Sequence, residues 1–293
     1  MSQAKRRTNT LRNRWNGDVA FRVKPITPDC LNRQHRLNTY TVIWIREGRG
    51  HLNGEFSCLS FESLNMLFFS PCQAFTLATD KPVKGTTYQF SNEFFCMEKH
   101  RKEIACDGVL FNNIYAPPCL SVDRNDAVSF EELTRQMLEA LGSQHGFARE
   151  DILYSYLKIF LIHASRICLE QDANRQALQS EQPVLQKLKE LIERHYHARH
   201  SPSDYAEMLH ISPKALGKLT KKHFNRTPSA LIADKLMVEA RRQLYRTENP
   251  VKEIAFSLGF SDQHYFSRFF KKHAGIPADQ YRRQVGNLAS IFG

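Results

Sequence analysis

The sequence has no uninterrupted apolar run of about 18 residues, the length at which a helix spans a bilayer, so no membrane is expected as a partner. Its first 14 residues contain no acidic residue and no apolar stretch, and they lack the form of a secretory signal peptide. No cysteine follows Cys168, and none of the seven cysteines sits in a Cys-x-x-Cys pair. An odd cysteine count without an export signal is the pattern of reduced thiols in a cytoplasmic chain, most of them small buried apolar residues. Gly-x-Ser-x-Gly, a phosphate-binding glycine loop and His-Glu-x-x-His are all missing, which excludes the commonest hydrolase, nucleotide-binding and zinc-protease readings.

What is present fits an ordinary globular chain. With 293 residues, 42% hydrophobic and 24% charged, it has the length for two domains and the composition to fill a core in each. The net charge of +11 is unevenly spread. Residues 1–14 carry +5, residues 15–183 carry −3, and residues 184–293 carry +9. A basic final third on a mildly acidic body suggests a polyanion-binding module attached to something else, although charge alone is equally compatible with a solvated surface.

Residues 1–17 read as a mobile basic tail. From about residue 19 to 120 the texture is strand-like. Tyr40–Ile45, Leu64–Phe69, Phe75–Leu77 and Thr86–Phe90 are short apolar runs separated by turn residues, among them Asn53-Gly54, a strong hairpin signal. Many short strands at regular spacing predict a barrel or sandwich. After Asp123 the period becomes helical. Phe130, Leu133, Met137 and Leu141 share one face, and a second helix over 148–169 places Leu153, Leu157, Phe160, Ala164 and Ile167 on one side. Ile152, Ile159 and Leu161 widen that stripe, so the helix packs on more than one side. Two such helices joined by a short loop form a hairpin on which two copies can meet, with packing of both on the barrel as the alternative. Gln171–Gln182 has no apolar period and reads as a linker.

Residues 184–293 read as all helix and contain one unit twice. Ser203–Lys214 and Val251–Asp262 each give a short amphipathic helix, a tight turn and a polar cap that opens a second helix. Gly259 stands where the second turn requires a left-handed backbone, and His210 occupies the matching place in the first. Ser212-Pro213 caps one second helix, and Ser261 or Asp262 caps the other. This is helix-turn-helix grammar, in which the second helix of each unit enters a DNA major groove. The exposed face of the first then holds Lys214, Gly217, Lys218, Lys221 and Lys222, with Leu216 and Leu219 inward. The exposed face of the second holds Gln263, His264, Ser267, Arg268, Lys271 and Lys272, with Phe266, Phe269 and Phe270 inward. Arg and Gln suit guanine and adenine edges, whereas Lys221, Lys222, Lys271 and Lys272 suit phosphates. A helix over 229–246, about 27 Å long, can hold the two recognition helices on one side of the duplex.

The run Ile254–Lys272 (IAFSLGFSDQHYFSRFFKK), with Gly275-Ile276-Pro277 and Tyr281-Arg282, resembles the signature of AraC/XylS-type transcription regulators, and the likeness covers about the last hundred residues. The resemblance implies a DNA-binding domain of two helix-turn-helix units joined by a long helix. It implies base contacts from Lys214, Gly217 and Lys218 in the first unit, and from Gln263, His264, Ser267 and Arg268 in the second. Two residues depart from the family pattern: Gly217 has no side chain where a base is often read, and Thr220 stands where an aromatic core residue is common. The strand-rich half, with His35–Gly50, Gly54 and Ser70-Pro71, resembles the cupin-like sensor domain of many such regulators, and the two following helices resemble their dimerisation hairpin. The fold class expected is therefore a two-domain α+β chain. It comprises a tail (1–17), a cupin-like β-barrel with helical dimerisation hairpin (18–170), a linker (171–183) and an all-α double helix-turn-helix domain (184–293). The function implied is a homodimeric cytoplasmic transcription regulator, an activator working with RNA polymerase on double-stranded DNA. It responds to a small molecule or another signal through its N-terminal domain, with a small-molecule effector expected inside the barrel, and it has no enzymatic activity and no cofactor.

Two other constellations bear on rival functions. Cupin enzymes hold a metal through a His-x-His pair and a nearby Glu, but beside His51 and Glu55 no such pair stands. Cys96, His100, Glu103 and Cys106 bring two thiols, an imidazole and a carboxylate close in sequence, a donor set for zinc or for redox sensing, although buried cysteines and a surface histidine account for the same residues.

Overall fold

The computed structural model describes residues 9–54, 58–71, 73–97, 100, 104, 109–111, 113–116, 118–143, 148–179 and 183–286. The chain divides into two compact units, residues 1–113 with 117–172, and 114–116 with 173–293.

The first unit is built from β1 (Thr10–Arg12), β2 (Val19–Pro25), β3 (Gln34–Arg36), β4 (Tyr40–Glu47), β5 (Gly50–Gly54), β6 (Cys58–Phe61), β7 (Asn65–Phe69), β8 (Ala74–Ala78), β9 (Lys84–Phe90) and β10 (Cys119–Ser121), followed by α1 (Arg124–Gly142) and α2 (Arg149–Gln179). The strands form two antiparallel sheets, one in the order β1-β2-β9-β4-β7-β10 and one in the order β3-β8-β5-β6. Alternation of side chains on β4 and β7 explains the layering. Val42 and Trp44 on β4, with Met66 and Phe68 on β7, turn to the core shared with α1 and α2. Their neighbours Ile43, Ile45, Leu67 and Phe69 turn to a second core, where they meet Leu52, Phe61, Phe75 and Leu77 of the smaller sheet. A strand buried on both faces reads as a continuous apolar run, which is why β4 and β7 are the strongest strand signals in the sequence.

The expected barrel is corrected to two stacked sheets. Among the described residues no strand pairs across them, and the barrel is not closed. Gly48, at φ 116, turns the chain from β4 of one sheet into β5 of the other. Apolar side chains fill the space between the sheets, with the Phe69 and Phe75 rings stacked at 3.8 Å. The expected mobile tail is corrected at its end: β1 pairs with β2, and Leu11 is buried opposite Phe21. Residues 1–8 lie outside the described residues.

Both helices follow their apolar periods. Asp123 caps α1 by accepting from the Asp126 amide, and Ala127, Phe130, Met137 and Leu141 face the core. On α2, Leu153, Leu157, Phe160, Ala164 and Ile167 are buried, as the period predicts. Arg149–Gln171 is long and apolar enough by composition to cross a bilayer, but its apolar inner side is buried in this core. Gln171–Gln182, expected as a linker, is helical as far as Gln179, and residues 180–182 lie outside the described residues.

The second unit holds α3 (Pro183–His195), α4 (Pro202–Met208), α5 (Pro213–Phe224), α6 (Pro228–Arg246), α7 (Val251–Ser257), α8 (Gln263–Ala274) and α9 (Ala278–Gly286). Helix α6 is the axle of this unit and touches each of the other six helices. It can do so because Leu231, Ile232, Leu236, Met237, Ala240 and Leu244 bury most of its circumference. Ion pairs satisfy charged groups that α6 buries. Lys235 Nζ lies 2.5 Å from Glu193 of α3 and 3.1 Å from Glu239. Burial works against the Lys235 charge, and the two carboxylates outweigh it, so its pKa is raised. Arg226 pairs with the buried Asp234.

Candidate nucleic-acid interface

The two halves of the second unit are one structure made twice. Helices α5 and α8 each have 12 residues, and a shift of fifty positions aligns them from Pro213 with Gln263 to Phe224 with Ala274. Each is opened by a side-chain cap. Ser212 accepts from the Ala215 amide, and Asp262 accepts from the amides of His264 and Tyr265. The amide of His264 above all, and that of Tyr265, hold the Asp262 carboxyl below its ordinary pKa. Each helix is closed by a left-handed residue, Asn225 at φ 53 and Gly275 at φ 74.

The turns before them also correspond. His210 has φ 54 and Gly259 has φ 82, both as the sequence predicts. Only Gly259 is irreplaceable on geometry, since a Cβ there lies 2.0 Å from the His197 carbonyl oxygen. His200 fastens the same turn by donating from Nε2 to the Leu258 carbonyl at 2.9 Å. Close by in sequence, His195 ends α3, and His197 meets the Gly259 turn with its backbone carbonyl and His200 with its ring.

Inward positions match in role and differ in size. Leu216 and Thr220 of α5, and Phe266 and Phe270 of α8, are all fully buried. Thr220, the departure noted in the sequence, turns its hydroxyl back to the Gly217 carbonyl at 3.3 Å. Its counterpart Phe270 packs its ring on Phe266 and Tyr281 at 5.9 and 5.4 Å.

The outward faces carry the candidate residues. Lys214, Lys218, Lys221 and Lys222 of α5 lie on the outer side, with Gly217 half-buried among them. On α8, His264, Arg268, Lys271 and Lys272 are exposed, while Gln263 and Ser267 are half-buried. Each set lies on one helix face opposite the buried residues. Tyr265, 57% exposed at the start of α8, was not among the predicted contacts. A signal for it exists in the sequence: an aromatic residue beside His264, outside the inward period of Phe266, Phe269 and Phe270. Cations, an amide and a hydroxyl aimed outward from a short rigid helix can meet phosphates and base edges.

The first unit offers less. Cys96 is half-buried, and His100 Nε2 is hydrogen-bonded to the Tyr154 hydroxyl with its ring 4.9 Å from Phe95. Glu103 and Cys106, the other members of that expected cluster, lie outside the described residues, as does Glu55. Among the described residues no group of three His, Cys, Asp or Glu is placed to hold a metal ion. An open groove of about 740 Å³ runs along the smaller sheet, lined by Asn32, Arg49, His51, Glu62, Thr79 and Lys81, among others.

Comparison with known proteins agrees with the geometry of the second unit. Residues 205–284 match the model of a helix-turn-helix domain family. The raffinose operon transcriptional regulatory protein RafR of Pediococcus pentosaceus is 31% identical over 83 residues, 28% of this chain, and the chain spans only 30% of that protein's length. The transcriptional activator RhaS of Escherichia fergusonii is 23% identical over 280 residues, covering 94% of this chain and 95% of that one. Among solved structures, the C-terminal domain of AraT, a response regulator from Geobacillus stearothermophilus, is 33% identical, with a TM-score of 0.34 over 35% of this chain and 86% of that one. A repeated helix-turn-helix frame on one central helix, carried by residues that match this domain family, makes the second unit a helix-turn-helix domain similar to those of AraC-type transcription regulators.

Proposed function

We propose that the chain is a sequence-specific, DNA-binding transcription regulator whose N-terminal unit senses a signal. The observation that carries this reading is the pair of outward faces on α5 and α8, set on a repeated frame in a region of net charge +9. Gln263, His264, Ser267 and Arg268 lie toward base edges, Lys214, Gly217 and Lys218 stand at the matching outward positions of α5, and Lys221, Lys222, Lys271 and Lys272 lie toward phosphates. The similarity to an activator over most of its length favours activation in concert with RNA polymerase. The sensing and dimerisation region occupies 18–170 as a cupin-like arrangement, and the DNA-binding region occupies 184–293. Homodimer formation uses the outer side of α2, where Ile152 and Ile159 are each 43% exposed at helical spacing. A small polar effector fits the open groove beside Arg49, His51 and Lys81 better than the space between the sheets, which phenylalanine rings fill. The chain acts as a cytoplasmic binding protein rather than an enzyme.

The test is duplex binding by the full chain. A duplex enriched from genomic fragments is expected to bind more tightly than unrelated DNA. Arg268→Ala is expected to cost about 1–3 kcal/mol on that duplex and to relax preference at one base pair. Unchanged discrimination in the Arg268→Ala chain removes α8 from the reading position.

A further inference from the structure

The fifty-residue correspondence between α5 and α8 allows their outward faces to be compared position by position. At the far end the faces are the same: Lys221 matches Lys271, Lys222 matches Lys272, and all four are exposed. At the near end they differ at every position. Pro213 stands for Gln263, Lys214 for His264, Ala215 for Tyr265, Gly217 for Ser267 and Lys218 for Arg268.

The differences all run one way. Each of the five α8 residues presents a directional hydrogen-bonding group, and Gln263 and Ser267 both donate and accept. Arg268 adds a planar fork that suits two acceptors on one guanine. The α5 face has no side-chain acceptor among Lys214, Ala215, Gly217 and Lys218, so it has nothing for the amino groups of adenine or cytosine. Its two cations there are point charges on flexible stems, which meet a phosphate oxygen as readily as a base acceptor.

Gly217 shows that packing does not impose this bareness. A Cβ built at Gly217 has no heavy atom within 4 Å, and its backbone is ordinary helix rather than left-handed. A glycine inside a helix lowers its stability, and here no close neighbour or special φ requires one. The outward face of α5 is open to larger side chains and carries none at its centre.

We infer that the two helix-turn-helix units divide the labour, with α8 reading base edges and α5 gripping the phosphate backbone with little preference for sequence. Specificity then resides in one of two adjacent segments of the DNA site, and the other segment is held by charge. This inference rests on the DNA-binding function proposed above and sharpens it.

The experiment is selection of duplexes from a randomised library by the full chain, followed by binding measurements at several salt concentrations. One sharply preferred segment is expected, flanked one helical turn away by a segment without preference. Arg268→Ala is expected to lose about 5- to 150-fold of discrimination in the preferred segment. Lys218→Ala is expected to weaken selected and unrelated duplexes by the same factor and to lower the salt slope by about one. Gly217→Arg, whose side chain enters open space, is expected to create a new base preference in the bare segment and leave the other unchanged. Two equally sharp segments in the selected duplexes, with Lys218→Ala altering preference in one, overturn the division of labour while leaving DNA binding intact. No enrichment of any duplex, with Arg268→Ala indistinguishable from the parent chain, overturns the DNA-binding reading and this inference with it.

Discussion

The two helix-turn-helix units share a frame and differ in what fills it. In the first, the turn is made by His210, the core by Leu216 and Thr220, and the cap by Ser212. In the second, the corresponding residues are Gly259, Phe266, Phe270 and Asp262. The frame needs a positive φ, two buried positions one helical turn apart and one side-chain acceptor at the helix start. It does not need particular residues to supply them. The second helix-turn-helix unit holds the larger buried side chains and the more tightly covered turn.

That contrast can be broken at the core first. Phe270→Ala is expected to cost about 3–5 kcal/mol of unfolding free energy, and Thr220→Ala only about 1–2 kcal/mol, since Thr220 contributes one methyl and one hydroxyl bond. Denaturant titration of the two variants checks this, and equal losses would erase the distinction between the cores. At the turns, Gly259→Ala is expected to cost about 2–3 kcal/mol, combining left-handed strain with a Cβ that meets the His197 carbonyl. His210→Gly is expected to change stability by less than about 0.5 kcal/mol, because relief of strain is offset by a more flexible unfolded chain. Thermal melts of this pair sharpen the comparison further.

The caps give smaller effects. Ser212→Ala removes the acceptor for the Ala215 amide and is expected to cost about 1 kcal/mol, measurable by denaturant titration. Asp262 gives the second cap a pH dependence that Ser212 cannot have. Its folded pKa is depressed, so its contribution is complete above the unfolded value of about 3.9 and is lost as pH falls through the folded value. Asp262→Asn is expected to keep the cap and to flatten the loss of melting temperature between neutral pH and about pH 3. An Asn variant with the same acid sensitivity as the parent would assign that sensitivity to other carboxylates.

The second unit was legible in the sequence because its signals are local. A turn residue, a cap and an inward period lie within twenty residues of one another, and His210, Gly259, Ser212 and Asp262 all take the roles their types suggest. The pairs Arg226 with Asp234 and Lys235 with Glu193 were not legible, since partners in different elements leave no spacing to read. In the first unit β4, β7, β8 and β9 were legible as apolar runs, whereas β1, β2, β3, β6 and β10 and the assembly of the sheets were not. The runs in β4 and β7 are apolar at nearly every position, so no alternation assigns Ile43 to one core and Trp44 to the other. The helical stretch beyond Leu169 reads as a linker for a related reason. The apolar period reports which face is buried, whereas the Gln, Ala and Arg residues of 171–179 sustain a helix by propensity without displaying that period.

Helices α5 and α8, presented by α6, are expected to meet the same duplex on adjacent turns. Hydroxyl-radical footprinting of the full chain on a selected duplex tests it directly. Two protected segments are expected on one face of the DNA, about 10 base pairs apart, with Arg268→Ala weakening the pattern and Lys272→Ala making it less sensitive to salt. Protection confined to a single segment, or spread without register along the duplex, would contradict it.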